Sequence, residues 1–368
     1  MKVLVQSNDL QKATAKTAKI IGKSTDTIQE GIKLTATDIG LELTAVNPEM
    51  SVQTAIECLQ TEDMGATVVN GKLFADFVSK LPSNADIVLE TTIDNNLNIY
   101  TTTKPKMSLK LSTMNADDFP VINNYGDDNS FEIMANDLKS IINSTTFACS
   151  TDEARPILKG CLLENNEDEL VMCAVDGYRL ALCRKPIFDR VGDIKCVATA
   201  RALNEMTRLI DTEESVKIMV HSNNIIMQAD NTVFTAKLLN GAFVNYGALL
   251  ASPTQIDVVV NTESLASAVD RATVLAKATQ NNVIKLTIAD DQMTVSTDNT
   301  LGAMEETIEV EQFGNDVTIA LNYKFLLDCI KATNSETVTM RFKDGNYPFF
   351  ISSKADTAEY LILPIRVQ

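Results

Sequence analysis

The amino-acid sequence repeats one plan three times along its 368 residues. NDLQKATAKTAKII around Leu10 returns as NDLKSIINSTTFAC around Leu138 and as TESLASAVDRATVLAK around Leu265, at offsets of 128 and 127 residues. Each copy is followed by strand-like sequence, a second helix pattern and another alternating run. Such a repeat favours three domains of about 120 residues. The predicted domains are 1–124, 127–251 and 254–368.

Each predicted domain contains two helices and about eight short antiparallel strands. The second helices begin near Lys72, Ala202 and Lys324, and Pro82 is expected to stop the first of them. Helices packed on one face of antiparallel sheets give an α+β fold. The last segment, EYLILPIRVQ, is predicted to be an apolar strand, which Pro364 places at a sheet edge or a sheet end.

The first helix pattern, from Ser7 to Lys23, has two different faces. Apolar side chains at helical spacing form one stripe: Leu10, Ala13, Thr17, Ile20 and Ile21. Ammonium groups form a second stripe, well round the helix: Lys12, Lys16, Lys19 and Lys23. For a single helix an ordinary solvated face is the favoured interpretation of such a row. We also expect Ser7 or Asn8 to cap the helix and Gly22 to follow its end.

The net charge of −17 taken alone argues against a nucleic-acid partner, but the charge is unevenly distributed. The six helix segments together carry +6, of which residues 9–23 carry +3, so strands and loops carry −23. If the six helices line one surface, that surface can face phosphate groups while the remainder repels them.

Two features of the sequence indicate the cellular compartment of such a chain. It has no run of 18 apolar residues, and its N-terminal MKVLVQSNDL enters a strand directly, so we expect no membrane partner and no signal peptide. The seven cysteines form no C-x-x-C pair and lie mostly in apolar patterns, which predicts buried free thiols in a reducing cytoplasm.

Patterns for catalysis or metal binding are weak. His221 is the only histidine and precedes a turn. Residues 22–24, GKS, end like a phosphate-binding loop, but Thr17 stands where that motif needs glycine. The pairs Asp117–Asp118 and Asp127–Asp128 are typical of solvated turns. We therefore predict no catalytic residue, no metal and no cofactor, and we do not expect an enzyme.

RPILKGCLLENNEDELVMCAVDGYRLALCRKPI, residues 155–187, resembles the middle domain of the bacterial DNA polymerase sliding clamp, the β subunit of the replicase. The family has an R-x-x-L-x-G run, here Arg155, Leu158 and Gly160, followed by D-G-H-R-L-A, here residues 176–181 with Tyr178 in place of His. SLKLSTMNADDFPVI, VFTAKLLNGAFVNY and the C-terminal YLILPIRVQ are also similar, so the resemblance covers all three repeats.

The resemblance implies three DNA clamp domains arranged as a crescent, and two such chains closing head to tail into a ring round duplex DNA. Long cationic side chains on the inner helices would contact phosphates without reading bases. The implied DNA-binding residues are Lys12, Lys16, Lys23, Lys72, Arg201 and Arg208, with Lys80 and Lys331 as weaker candidates.

The resemblance also implies a pocket between the middle and last domains that binds short extended peptides. Its partners would be the replicative DNA polymerase, the clamp loader and other proteins with clamp-binding motifs. The matching residues are Leu158, Val175, Gly177, Tyr178, Arg179, Leu180, Val244, Asn322, Phe325, Leu361, Leu363, Pro364, Ile365 and Arg366. An apolar C-terminal strand ending in arginine suits such a groove wall, and the alternative is that LILPI simply belongs to the core. Val244 replaces a usual proline, and Ala248 a common arginine.

For the homodimer, the resemblance implies that an edge of the first domain pairs with an edge of the last domain of another chain. The first edge would supply Lys104, Lys106, Met107 and Leu109, and the second would supply Val274, Leu275, Glu305 and Glu306. A basic edge meeting an acidic edge fits head-to-tail assembly.

The sequence thus predicts a cytoplasmic, non-enzymatic, homodimeric sliding clamp that tethers the replicative polymerase and other replication and repair proteins to double-stranded DNA. One alternative is a diverged interaction scaffold with the clamp fold but no DNA-encircling role. An enzyme built from three α+β repeats is disfavoured, because clusters of bases and metal ligands are missing from the sequence.

Overall fold

The computed structural model describes residues 1–22, 26–102, 104, 106–122, 129–278, 282–353 and 357–366. Within these ranges each repeat contains two main helices and a series of short antiparallel strands, which confirms the predicted α+β class. The first repeat consists of β1 (Lys2–Gln6), α1 (Ser7–Ala18), β2 (Gly31–Ala36), β3 (Leu41–Val46), β4 (Met50–Ile56), β5 (Gln60–Asp63), β6 (Gly65–Asn70), α2 (Gly71–Val78), β7 (Asp86–Thr92), β8 (Asn96–Thr101) and β9 (Ser108–Met114).

The other two repeats follow the same general order of strand, helix, strands, helix and strands, although among the described residues the third has four strands between its helices instead of five and the second ends in an added short helix. The second consists of β10 (Ser130–Met134), α3 (Ala135–Asn143), β11 (Gly160–Asn166), β12 (Glu169–Val175), β13 (Arg179–Pro186), β14 (Phe188–Val191), β15 (Lys195–Thr199), α4 (Ala200–Leu209), β16 (Ser215–His221), β17 (Asn224–Ala229), β18 (Thr232–Lys237) and the short α5 (Tyr246–Leu250). The third consists of β19 (Ile256–Asn261), α6 (Thr262–Ala276), β20 (Val283–Ala289), β21 (Gln292–Asn299), β22 (Gly302–Phe313), β23 (Val317–Asn322), α7 (Tyr323–Ala332), β24 (Thr337–Phe342), β25 (Phe349–Ser352) and β26 (Ala358–Ile362).

The chain divides into two compact units that do not coincide with the repeats. The first unit comprises Met1–Ala135, Asp189–Gly192 and Glu205–Leu238, and the second comprises Asn136–Phe188, Asp193–Asn204 and Leu239–Gln368. The second repeat therefore contributes to both units. The limits of the three domains were predicted from the sequence repeat and are not the boundaries of these two units. Those limits stay predictions.

In the first unit, the strands of the first repeat continue into strands of the second repeat. β4 pairs antiparallel with β18, from Met50 opposite Ala236 to Thr54 opposite Thr232. This pairing satisfies backbone groups that would otherwise form an exposed sheet edge. Below the sheet, α1 and α2 contribute Leu10, Ala13, Phe74 and Val78 to one buried apolar cluster. Full burial of one large apolar side chain contributes about 1.5–3 kcal/mol.

In the second unit, β26 lies inside a sheet and not at its edge. It pairs with β13 on one side and with β25 on the other, so the first of the two positions predicted from Pro364, a sheet edge, is wrong. Pro364 follows the end of β26, where it interrupts no strand pairing. Leu361 and Ile362 are buried, whereas Leu363, Pro364 and Ile365 are half-buried. The core alternative for LILPI is thus correct for the strand residues and wrong for the tail.

The first helix is shorter than predicted. α1 ends at Ala18, with Lys19 as the residue that closes it, so Gly22 does not directly follow the helix end. Ser7 does not cap α1, because its buried hydroxyl donates to the carbonyl of Pro82 and accepts from the amide of Ala85. The predicted apolar stripe is confirmed, since Leu10, Ala13, Thr17 and Ile20 are buried and Ile21 is half-buried.

None of the helices within the described ranges combines the length and the hydropathy that a membrane crossing requires.

Candidate functional site

The lysine row of α1 is not a uniform solvated face. Lys12 is exposed, but the side chain of Lys16 is only 12% exposed. The ammonium Nζ of Lys16 lies 3.0 Å from Oδ2 of Asp211 and donates to Oγ1 of Thr232 at 3.1 Å. Both partners belong to the second repeat, so Lys16 joins the two repeats within the first unit.

Lys19 makes a similar connection to the last turn of α4. Its ammonium donates to the backbone carbonyl of Arg208. Carbonyls at the C-terminal end of a helix carry partial negative charge, which favours a cation there. Burial lowers the pKa of Lys19. The guanidinium of Arg208 itself lies 2.7 Å from Oε1 of Glu205 and remains largely exposed.

A cavity of about 430 Å³ lies beside Lys12 and Lys16 in the first unit. Four carboxylate side chains contribute to its wall: Asp9, Glu57, Asp211 and Asp230. The two lysines therefore lie in mixed surroundings, in which the carboxylates offset part of the positive potential.

The remaining residues that were predicted to contact DNA lie at the following positions. Lys72 is exposed in the first turn of α2, whose start is capped by Asn70. Arg201 is exposed in the first turn of α4. Within the described residues, Lys12 and Lys72 have no hydrogen bond or ion pair through their ammonium groups. Lys23 lies outside the described residues.

In the second unit, the turn before β13 is built by Asp176. Its Oδ1 accepts hydrogen bonds from the amides of Tyr178 at 2.8 Å and of Arg179 at 3.0 Å. Gly177 between them has φ +97°, a conformation that side chains with a Cβ rarely adopt. This turn leaves the Tyr178 side chain 64% exposed.

Arg179 is held beneath that turn by three polar groups. Its Nε lies 2.9 Å from Oδ2 of Asp176, one Nη lies 2.6 Å from Oδ2 of Asp328, and the other donates to the carbonyl of Phe147 at 2.7 Å. Its guanidinium carbon also lies 4.7 Å from the ring centroid of Phe325. Its side chain is only 10% exposed, and these contacts hold the guanidinium against groups of its own chain.

The C-terminal tail runs beside Tyr178. The ring of Tyr178 stacks on that of Phe325, with centroids 6.3 Å apart and an interplanar angle of 18°. The amide of Leu363 donates to the carbonyl of Tyr178 at 2.9 Å, and the amide of Ile365 donates to that of Ala320 at 2.7 Å. These contacts bring together the turn, α7 and the tail, which are distant in the sequence.

An apolar core lies under this region and includes the predicted residues Val175, Leu180 and Leu361. Leu158 is also buried, whereas Val244 is 38% exposed. Half-buried apolar side chains rest on the core: Ile157, Leu239, Phe243, Tyr246, Leu250 and Leu363. We call these six residues together with Tyr178 the partner surface.

Sequence reasoning missed five members of the partner surface: Ile157, Leu239, Phe243, Tyr246 and Leu250. The available signal was the apolar content of LLNGAFVNYGALL, residues 238–250, in a segment with turn residues.

The hydroxyl of Tyr246 donates to Glu164, and burial together with this hydrogen bond raises the pKa of Tyr246. Tyr246 therefore stays a neutral donor that fixes α5 on the sheet.

Two strands expose edges of the kind that intermolecular pairing needs. Within the described residues, β9 pairs with β8 from Ser108 to Ser112 but with β6 only at Thr113 and Met114. Beside this edge, Lys104 and Lys106 are exposed. Met107 and Leu109 are half-buried against their own core.

The second open edge belongs to β22 in the second unit. From Gly302 to Glu309 this strand pairs with β21, and its pairing with β19 involves only residues 310–313. Glu305 is exposed. The guanidinium of Arg271 donates to both carboxylate oxygens of Glu306 and lowers the pKa of that carboxyl. On the neighbouring α6, Val274 is 76% exposed and Leu275 is half-buried.

No group of three or more His, Cys, Asp or Glu side chains suited to a metal ion occurs in the part of the chain that the structure describes. Asp117 and Asp118 lie in a 3₁₀ turn whose start is capped by Asn115. Asp127, Asp128 and Ser24 lie outside the described residues.

Comparison with known protein families identifies the family of this chain. Family models of the DNA polymerase III beta subunit match three consecutive segments: the N-terminal domain at residues 1–123, the central domain at 132–245 and the C-terminal domain at 249–366. The chain belongs to the DNA polymerase III beta subunit family. Its three repeats are the three clamp domains of that family.

Curated relatives and a solved structure agree with this assignment. The chain is 29% identical over 381 residues to the beta sliding clamp of Bacillus subtilis, with 100% of both chains covered. It is also 29% identical to that of Staphylococcus aureus, over 99% of this chain and 97% of the relative. The crystal structure of the DNA polymerase sliding clamp from Bacillus subtilis superimposes with a TM-score of 0.94 at 27% identity, covering 100% of both chains.

Within this beta subunit chain, the structure brings some predicted residues together and leaves others apart. Tyr178, Phe325 and Leu363 form one surface with the apolar core. In contrast, Lys16 is engaged by its own chain, while Lys12 stays accessible. The predicted roles of these residues in binding partners stay predictions.

Proposed function

We propose that this chain is a sliding clamp, which as a head-to-tail homodimer encircles duplex DNA and tethers the replicative polymerase to it. The observation that carries the proposal is the match to all three beta subunit domains, in consecutive order over nearly the whole chain. The clamp loader and other proteins with clamp-binding motifs are its further partners. A cytoplasmic location follows from this role and stays a prediction.

The proposed contact with DNA is independent of base sequence. Mobile cationic side chains can meet phosphates through long-range attraction, and a closed ring needs only weak contacts because its topology prevents escape. Lys12, Lys72, Arg201 and Arg208 are exposed and suit this role. Lys16 suits it less, since Asp211 and Thr232 already bind its ammonium.

The proposed binding site for partner peptides is the partner surface. An extended peptide with apolar anchors would lie against Tyr178, Leu363 and the half-buried side chains of residues 239–250. Burial of a few such anchors is the main source of affinity in peptide recognition. Arg179 and Phe325 support this surface from below.

The proposed dimer joins the open edge of β9 to the open edge of β22 in another chain. Lys104 and Lys106 are exposed at the first edge, and Glu305 is exposed at the second. Glu306 contributes less charge to the contact, because Arg271 of its own chain already binds it. The protein acts through these contacts as a non-enzymatic processivity subunit without a cofactor.

A diverged interaction scaffold with the clamp fold is the second candidate. The mixed charge round Lys12 and Lys16, together with the net charge of −17, favours it over a typical nucleic-acid-binding protein. Both candidates keep the partner surface, and they differ in whether DNA passes through the assembly.

Topological retention separates the two candidates. The chain is loaded onto a nicked circular duplex by a bacterial clamp loader with ATP, and the DNA is then isolated by gel filtration. A sliding clamp stays with the circle and is lost after a restriction enzyme linearises it. A protein that never co-elutes with the circle, or that stays on linear DNA, contradicts the proposal.

A further inference from the structure

Two thiols lie next to each other in the second unit. Sγ of Cys149 is 3.5 Å from Sγ of Cys161, and both cysteines are free. Cys161 is fully buried, and Cys149 is half-buried. A disulfide has an S–S bond of about 2.05 Å, so the two sulfur atoms need to approach by only about 1.5 Å.

The two cysteines enclose a segment that contributes to the partner surface. Cys149 follows the 3₁₀ turn Thr146–Ala148, and Cys161 is the second residue of β11. Between them lie Ile157, a member of the partner surface, and the buried Leu158. The amide of Ser150 donates to the carbonyl of Leu158 at 2.8 Å, so the two ends of this segment already lie against each other.

We propose that Cys149 and Cys161 form a redox-sensitive pair, which a hydroperoxide oxidises to a disulfide that weakens peptide binding at the partner surface. Formation of the disulfide is inferred from the thiol geometry alone, whereas its effect on peptide binding rests on the proposed function. The pair is a modification site whose substrate is hydrogen peroxide or an organic hydroperoxide.

The chemistry proceeds in two balanced steps. Cys149, the more accessible thiol, attacks a peroxide oxygen, which breaks the O–O bond, gives a sulfenic acid and releases water or an alcohol. The sulfur of Cys161 then attacks the sulfenic sulfur, forms the S–S bond and releases a water molecule that takes up the thiol proton. The contact with Cys149 and burial raise the pKa of Cys161, which favours its protonated thiol form.

The backbone connects this disulfide to the partner surface. Cys161 is fixed in β11, opposite Ala198 of β15, so the shift falls mainly on Cys149. Phe147, two residues earlier, accepts a hydrogen bond from Arg179, and its ring lies 5.3 Å from the Arg179 guanidinium carbon. A displaced Cys149 therefore disturbs the support of Tyr178 through Arg179 and the position of Ile157 through Ser150 and Leu158.

The first measurement tests the disulfide without reference to function. The full chain is treated with hydrogen peroxide, unreacted thiols are alkylated, and intact mass and non-reducing peptide maps are recorded. We expect the loss of two hydrogen atoms and a cross-linked peptide pair containing Cys149 and Cys161. Cys149→Ser and Cys161→Ser should abolish the product, while Cys58→Ser, a matched change at another half-buried cysteine, should not.

The second measurement tests the effect on binding. A fluorescent peptide with the clamp-binding motif of a bacterial replicative polymerase is titrated with reduced and oxidised protein. We expect oxidation to weaken binding about fivefold, dithiothreitol to restore it, and Cys149→Ser to be unaffected by peroxide.

The outcomes are distinguishable. Failure to cross-link Cys149 to Cys161 under conditions that oxidise Cys58 overturns the redox pair. A disulfide that leaves affinity unchanged overturns the coupling. Reduced protein that binds no peptide contradicts the proposed partner surface, and the mass measurement still decides whether the pair exists.

Discussion

Lys16 and Asp211 form an ion pair with Nζ 3.0 Å from Oδ2, although one residue lies in the first repeat and the other in the second. The same ammonium donates to Thr232, 216 residues further along the chain. A lysine that the helical pattern places in a cationic row is thus bound by two residues of another repeat. The effect of Lys16 on stability can be measured separately from the proposed DNA binding by its neighbours.

We predict that Lys16→Met lowers the free energy of unfolding by about 1–2 kcal/mol, because the buried Thr232 hydroxyl and Asp211 lose a charged donor. Urea unfolding followed by circular dichroism measures this change. Lys12→Met is the matched control and should stay within about 0.5 kcal/mol, since Lys12 is exposed. Equal losses in both variants would contradict the structural role of Lys16.

We predict that Lys12→Glu combined with Lys72→Glu impairs retention on circular DNA. Both side chains are exposed, so the charge reversal should repel phosphate without disturbing the core. Retention after gel filtration at several salt concentrations is the measurement, and native mass should stay that of the wild type. A double variant retained like the wild type would remove these two lysines from the DNA contact.

We predict that Tyr178→Ala weakens peptide binding about tenfold, because the stacked ring is the most exposed aromatic group of the partner surface. Tyr178→Phe keeps the ring and should bind nearly as well as the wild type. Fluorescence anisotropy gives both affinities, and thermal unfolding should be almost unchanged. Wild-type affinity in the alanine variant would place the peptide elsewhere.

We predict that removing residues 363–368 abolishes stimulation of a replicative polymerase and leaves native mass unchanged. The deletion removes the hydrogen bonds of Leu363 to Tyr178 and of Ile365 to Ala320, while β26 stays paired on both sides. Primer extension on a long single-stranded template reports stimulation. A truncated chain that still stimulates would refute the tail as part of the site.

We predict that Val274→Asp shifts the protein from dimer to monomer. Val274 is 76% exposed on α6, so a carboxylate there should cost little in the monomer but oppose burial in an apolar contact. Native mass spectrometry at micromolar concentration decides the result. Ile93→Asp is the matched control, because Ile93 is fully exposed and lies outside the proposed edges. A Val274→Asp protein that remains dimeric would place the interface elsewhere.

The accuracy of the sequence predictions varied with the range of the interactions involved. Helical spacing correctly predicted that Leu10, Ala13 and Thr17 would be buried, because neighbours on a helix face are fixed by its geometry alone. The start of α1 was predicted less well. Ser7 was one of two expected caps, with Asn8, but its hydroxyl bonds instead to the loop at Pro82 and Ala85, which the local sequence pattern does not specify.

What the sequence by itself determined is the threefold plan, the α+β class and the family, since each depends on order and spacing along the chain. Only the tertiary structure decided that β26 lies between β13 and β25, that Asp211 binds Lys16, and that residues 239–250 cover the core beside the tail. The physical reason is that periodicity fixes which face of an element is apolar or charged. It does not fix which distant strand, carboxylate or apolar loop will meet that face.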